Sequence, residues 1–180
     1  MVTGKTVGVV LGGLGLVLAS ALMSRAVTAP RALESPAVRG EGAPWAAHLA
    51  TVDAALAAGD VPAARSAWHE AYGAALRSRR WEGFADAGDA YLRIGHASSA
   101  PARAVPRARD LYLSALFRAR DAGSLDGVLR IANAFAALGD HDVTVQALRM
   151  ARRLSGPHPA PSLRDRLVEL ESRTPAISAF

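Results

Sequence analysis

Residues 45–76 read WAAHLATVDAALAAGDVPAARSAWHEAYGAAL, and this stretch decides the fold. Two alanine-rich runs flank Gly59-Asp60. Glycine most easily takes the left-handed conformation that ends a helix, and aspartate caps the helix that follows. The stretch therefore predicts a helix, a turn and a second helix. The same grammar returns twice. WEGFADAGDAYLRIG opens at Trp81 and resumes as ARDLYLSALFRA at Ala108, and LDGVLRIANAFAALGDHDVTVQALRMARRL runs from Leu125 to Leu154. Gly59, Gly95 and Gly139 are read as the turn glycines, with Asp60 and Asp140 as caps.

Stacked on one another, the windows align by side-chain size. Val52, Gly88 and Ala132 fall together on the first helices; Ala64, Ala108 and Thr144, then Ala71, Ala115 and Ala151, fall together on the second. Small residues at those places let helices touch, and Trp68, Tyr112 and Leu148, with Tyr91 and Phe135, fill the space between. The second window carries an extra segment, HASSAPARAVP, from His96 to Pro106. After Leu154, Gly156, Pro157, Pro159 and Pro161 break the chain, and SLRDRLVELESR over 162–173 reads as one amphipathic helix. Leu163, Leu167 and Leu170 form its apolar stripe, suited to covering the open face of a helical stack.

Composition agrees with an all-α body of one domain. The chain has 180 residues, of which 51% are hydrophobic but only 6% aromatic. It has no cysteine, which excludes disulfides, thiolate nucleophiles and cysteine-based zinc sites. The formal charge is +5. The densest arginine groups, Arg77, Arg79 and Arg80, then Arg103, Arg107 and Arg109, then Arg149, Arg152 and Arg153, fall near expected helix ends. Arginine at a helix C-terminus complements the dipole, which accounts for the first and third groups. No aromatic residues are interleaved with these charges as a stacking platform, so nucleic-acid binding is not expected.

The N-terminus has a different character. Residues 7–23, VGVVLGGLGLVLASALM, carry no charge and follow Lys5. As a helix they would cover roughly 25 Å, a little short of a bilayer's hydrocarbon core. They read either as a single-pass signal-anchor within 1–25 or as a secretory signal cleaved near Ala21, after the small residues Ala19-Ser20-Ala21. Gly8 and Gly12, spaced by four, would let two such helices approach as a homodimer. Arg25, Arg31 and Arg39 taken alone would keep the body cytoplasmic, but the short N-terminal tail resembles an export signal, so an extracytoplasmic or periplasmic body is expected. Residues 26–43, with Pro30, Pro36, Gly40 and Gly42, read as a flexible tether.

Chemistry is not written into the chain. Gly4-Lys5-Thr6 lacks the upstream glycine and strand of a phosphate loop. His69-Glu70 has Gly73 where a zinc protease places its second histidine. The serines have no GxSxG context, and the histidines are scattered. No catalytic residue, cofactor or metal site is expected, and the chain does not read as an enzyme.

With three windows of small and bulky residues in register, residues 44–155 resemble the tetratricopeptide repeat family, with units at about 45–78, 81–121 and 125–154. Their starts are spaced more widely than the roughly 34 residues of that family. The resemblance implies an all-α solenoid of three helical hairpins, a capping helix behind it and a hydrophobic helix ahead. First helices then line a concave groove that faces Asp53, Asp86, Asp89, Arg93, Arg130 and Asn133. Arg130 with Asn133 resembles part of the carboxylate-gripping set of some family members, although the lysines of that set are missing here. The implied role is a membrane-tethered or exported interaction module that holds a partner protein. A structural accessory subunit of a larger envelope complex is the alternative.

Overall fold

Helix boundaries in this chain are set by a few residues whose backbone chemistry admits little else. The computed structural model describes residues 42–157 and 161–172. They belong to the compact unit Val38–Phe180; the other unit is Met1–Ala37. The described residues are all-helical: α1 (Ala46–Ala57), α2 (Val61–Ser78), α3 (Trp81–Ala97), α4 (Pro101–Asp121), α5 (Leu125–Ala137), α6 (His141–Ser155) and α7 (Pro161–Ser172). None of these helices is long and apolar enough to cross a membrane. The apolar segment 7–23, the cleavage point near Ala21, the Gly8/Gly12 pair and the tether up to residue 41 lie outside the described residues.

Four helices end in one motif. In α1, α3, α4 and α5 a residue with left-handed backbone follows the helix: Gly59 (φ 74°), Ser99 (φ 53°), Gly123 (φ 64°) and Gly139 (φ 76°). The next amide then reaches back five residues, Asp60 to Ala55 O at 2.9 Å, Ala100 to Gly95 O at 3.0 Å, Ser124 to Ala119 O at 2.8 Å and Asp140 to Phe135 O at 2.9 Å. This arrangement satisfies carbonyls that the helix leaves orphaned.

The second turn corrects the sequence reading. Gly95 is not the turn residue: it is buried inside α3, and Ser99 takes the left-handed position. A serine there strains the backbone, so Ser99→Gly should stabilise the fold by about 0.5–1 kcal/mol. A melting temperature that fails to rise would refute strain at this turn. The extra segment His96–Pro106 is mostly helix. It extends α3 to 17 residues, against 12 and 13 for α1 and α5, and α4 to 21. Pro101 opens α4 at a position where no donor is needed. Pro106 sits within the helix, where it cannot donate to a preceding carbonyl.

Caps behave unevenly. Asp60 Oδ1 accepts from the Ala63 amide at 2.9 Å, and Ser124 Oγ from the Gly127 amide at 3.1 Å. Asp140 does not cap α6 with its side chain. Arg109 on α4 holds it instead, Nη2 to Oδ1 at 2.7 Å.

Each helix from α1 to α6 packs on the next, α1 also meets α3, and α3 meets α5. The aligned small residues Val52, Ala64, Ala71, Ala108, Ala115, Ala132, Thr144 and Ala151 are wholly buried. Trp68 is buried among them, its indole N–H donating to Ala87 O at 2.8 Å, which removes the cost of sinking a polar atom. Tyr72 stacks on its ring, and Arg107 lies 4.9 Å above Tyr72 and 5.8 Å from Trp68. That contact explains an arginine which the helix dipole did not. Between hairpins the approach is close enough to exclude a Cβ: one built on Gly83 would stand 2.8 Å from Ala75 Cβ, and one on Gly127 would stand 2.8 Å from Ala119 Cβ. Helix α7 touches α5 and α6 and buries Leu167 and Leu170.

Candidate functional site

The face shared by α1, α3 and α5 gathers five half-buried charged side chains, Asp53, Asp86, Asp89, Arg93 and Arg130. Asp86 and Asp89 are three residues apart on α3 and so project on one side of it. Arg130, on α5, reaches both through Nη2, at 2.6 Å to Asp86 Oδ1 and 2.8 Å to Asp89 Oδ2. The remaining carboxylate oxygens are also engaged. Asp86 Oδ2 accepts from the Trp45 indole at 2.8 Å, and Asp89 Oδ1 from the Tyr112 hydroxyl at 2.6 Å. The Arg130 guanidinium lies 6.0 Å from the centre of the Trp81 ring. One network therefore joins the start of α1 to α3, α4 and α5.

Its electrostatics follow from partial burial. Desolvation opposes a charge on Arg130, but Asp86 and Asp89 outweigh it and hold the guanidinium pKa above its ordinary value. The Tyr112 hydroxyl is pushed well above the usual phenol range, by burial first and then by the Asp89 charge and the hydrogen bond to it. Tyr112 therefore stays a donor across physiological pH. With all four carboxylate oxygens occupied, this cluster is built to cross-link helices rather than to move protons.

Further along the same face, Arg93 on α3 grips Asp53 on α1, Nε at 3.1 Å and Nη2 at 2.9 Å from Oδ1. This pair is open to solvent, 41% and 39% exposed. Asn133 is exposed on α5. The six residues singled out in the sequence thus divide into two groups. Asp86, Asp89 and Arg130 satisfy one another in the network, Asp89 keeping an exposed side, and Asp53, Arg93 and Asn133 lie outside it with solvent-facing surface.

No family model, curated protein or solved structure matches this chain. The resemblance to tetratricopeptide repeats rests on the residue pattern alone.

Trp45, Trp81 and Tyr112 belong to the network and were not read as site residues. Trp45 and Trp81 each open a window, and their recurrence was the available signal. A second polar locus lies at the start of α6, where Arg109, Gly139, Asp140, His141, Asp142 and Val143 line an open depression of about 450 Å³. Among the described residues, no group of three or more histidine, aspartate or glutamate side chains is placed to hold a metal ion.

Proposed function

We propose that the three hairpins form a tetratricopeptide-like solenoid, held at or beyond a membrane by residues 1–25, whose α1, α3 and α5 face binds an extended segment of a partner protein. The observation that carries this reading is the network from Trp45 to Arg130, which ties the first helices into one preorganised surface. Preorganisation lowers the ordering cost of association.

On that surface the Arg93–Asp53 pair is the exchangeable element. An exposed ion pair is worth only about 0–1 kcal/mol. A carboxylate of the partner, side chain or C-terminal, can therefore replace Asp53 on the Arg93 fork with little penalty and gain a charge-assisted hydrogen bond. Asn133 supplies a donor and an acceptor suited to a peptide backbone.

The test is capture from native membranes with the tagged full-length chain. Arg93→Ala combined with Asn133→Ala should release a specific partner while leaving the melting temperature nearly unchanged, because both side chains are solvent-facing. Equal capture by the variant would move the binding face elsewhere.

A further inference from the structure

We propose that the edge of the body formed by the last turns of α2, α4 and α6 docks on an anionic phospholipid surface. Because successive helices run up and down, this edge also holds the first turns of α1, α3 and α5. Contacts fix the arrangement. Arg118 near the end of α4 donates to Arg79 O beside the end of α2 at 3.2 Å, and Arg80 lies 5.7 Å from the Trp45 ring at the start of α1.

Two kinds of side chain meet there. Leu76, Phe117 and Leu154 are exposed large hydrophobic residues, 43%, 46% and 37%, each in or next to the last turn of its helix. Arginines accompany each of them: Arg77 and Arg79 by Leu76, Arg118 and Arg120 by Phe117, and Arg152 and Arg153 by Leu154. On this edge Glu82, Asp121 and Asp126 are paired with Arg80, Arg120 and Arg166, and Asp165 lies next to Arg166 at the start of α7. The edge is left strongly positive. A helix dipole accounts for arginines at C-termini, but it gives no reason for large apolar side chains to stand exposed beside them. A basic surface studded with Leu and Phe matches the boundary between anionic headgroups and acyl chains, where cations meet phosphate and apolar tips enter the hydrocarbon.

The route of the chain agrees. Residues 1–41, with their apolar run at 7–23, lead into the body at Trp45, and Trp45 stands on this same edge. Docking through this edge turns the start of α1 toward the lipid. This orientation leaves the exposed Arg93 and Asn133 on a different surface, free for a partner.

Because the chain has no cysteine, one introduced cysteine is a unique label site. The full-length chain carrying Phe117→Cys, labelled with an environment-sensitive nitrobenzoxadiazole dye, is placed in nanodiscs of phosphatidylcholine alone or with one-third phosphatidylglycerol. Emission should shift to the blue only in the anionic discs and return on raising salt to about 0.5 M. The same dye at Ala63→Cys, in the first turn of α2 and so roughly 20 Å along the helix from this edge, should not respond. Each arginine near such a surface is worth roughly fivefold, so Arg77→Glu with Arg153→Glu should weaken docking at least about 25-fold. Circular dichroism checks that this variant is folded. Attachment through the N-terminal segment does not depend on lipid charge and is read separately, as co-elution with the disc. Identical emission from the Phe117 label in both lipid mixtures would overturn the proposal. So would a shift produced by polyglutamate in phosphatidylcholine discs without any response to phosphatidylglycerol, which would assign the edge to an acidic protein.

Discussion

Arg130→Met should lower the unfolding free energy by about 1–2 kcal/mol, because it leaves the mostly covered Asp86 and the half-exposed Asp89 without their shared cation. Methionine keeps most of the packing on Trp81, so the loss reports charge rather than volume. The decisive comparison is the triple variant Arg130→Met, Asp86→Asn, Asp89→Asn. Removing the stranded charges should recover at least half of the loss, since the amides still accept from Trp45 and Tyr112. Denaturant unfolding of the three proteins measures this directly. If Arg130→Met is neutral, the network does not hold the first helices together, and the preorganised face proposed for partner binding loses its basis.

Gly95→Ala should be costlier than its chemistry suggests. In an exposed helix the change gains about 1 kcal/mol from propensity. Here the new methyl would stand 2.4 Å from Ala104 Cβ, across the interface of α3 with α4, the most extensive helix contact in the body. The two helices must separate, and a net loss of about 2–3 kcal/mol is expected, as for overpacked cores. Ala104→Gly in the same chain should restore part of it by reopening the space. A Gly95→Ala protein that melts at or above the parent temperature would show that this helix pair yields more readily than the geometry implies.

These two positions also mark how far the sequence could be read. All-helical character was legible because small and bulky residues repeat in register, and burial of Ala64, Ala108 and Thr144 follows that register. Gly95 was misplaced because glycine serves two needs, a left-handed turn and a close approach, and a single sequence does not separate them. Its true counterpart, Ser99, carries no signal, since serine at positive φ is imposed by the turn rather than preferred. Pro106 concealed the added length of α4, because a proline after small residues reads as a break until neighbouring helices are seen to hold it.

At the candidate site, residue types were legible and partnerships were not. Asp86, Asp89 and Arg130 lie on the expected helices, but their mutual contacts span 44 and 41 residues. Local spacing says which side of a helix a charge occupies. It cannot say whether a cation from another helix waits there.

The middle hairpin differs from its neighbours by added length, and that length comes as four more residues in α3 than in α5, close to one whole turn. An increment of a full turn preserves which side chains point inward, so Gly83 and Phe84 at its near end keep the contacts they make with Ala75 and Tyr72 of the first hairpin. Four residues add about 6 Å to α3 relative to α5, a ledge at its far end. Such a ledge is a natural place for variation: hairpins of this type can grow or shrink by turns at their tips while the seams between them stay the same.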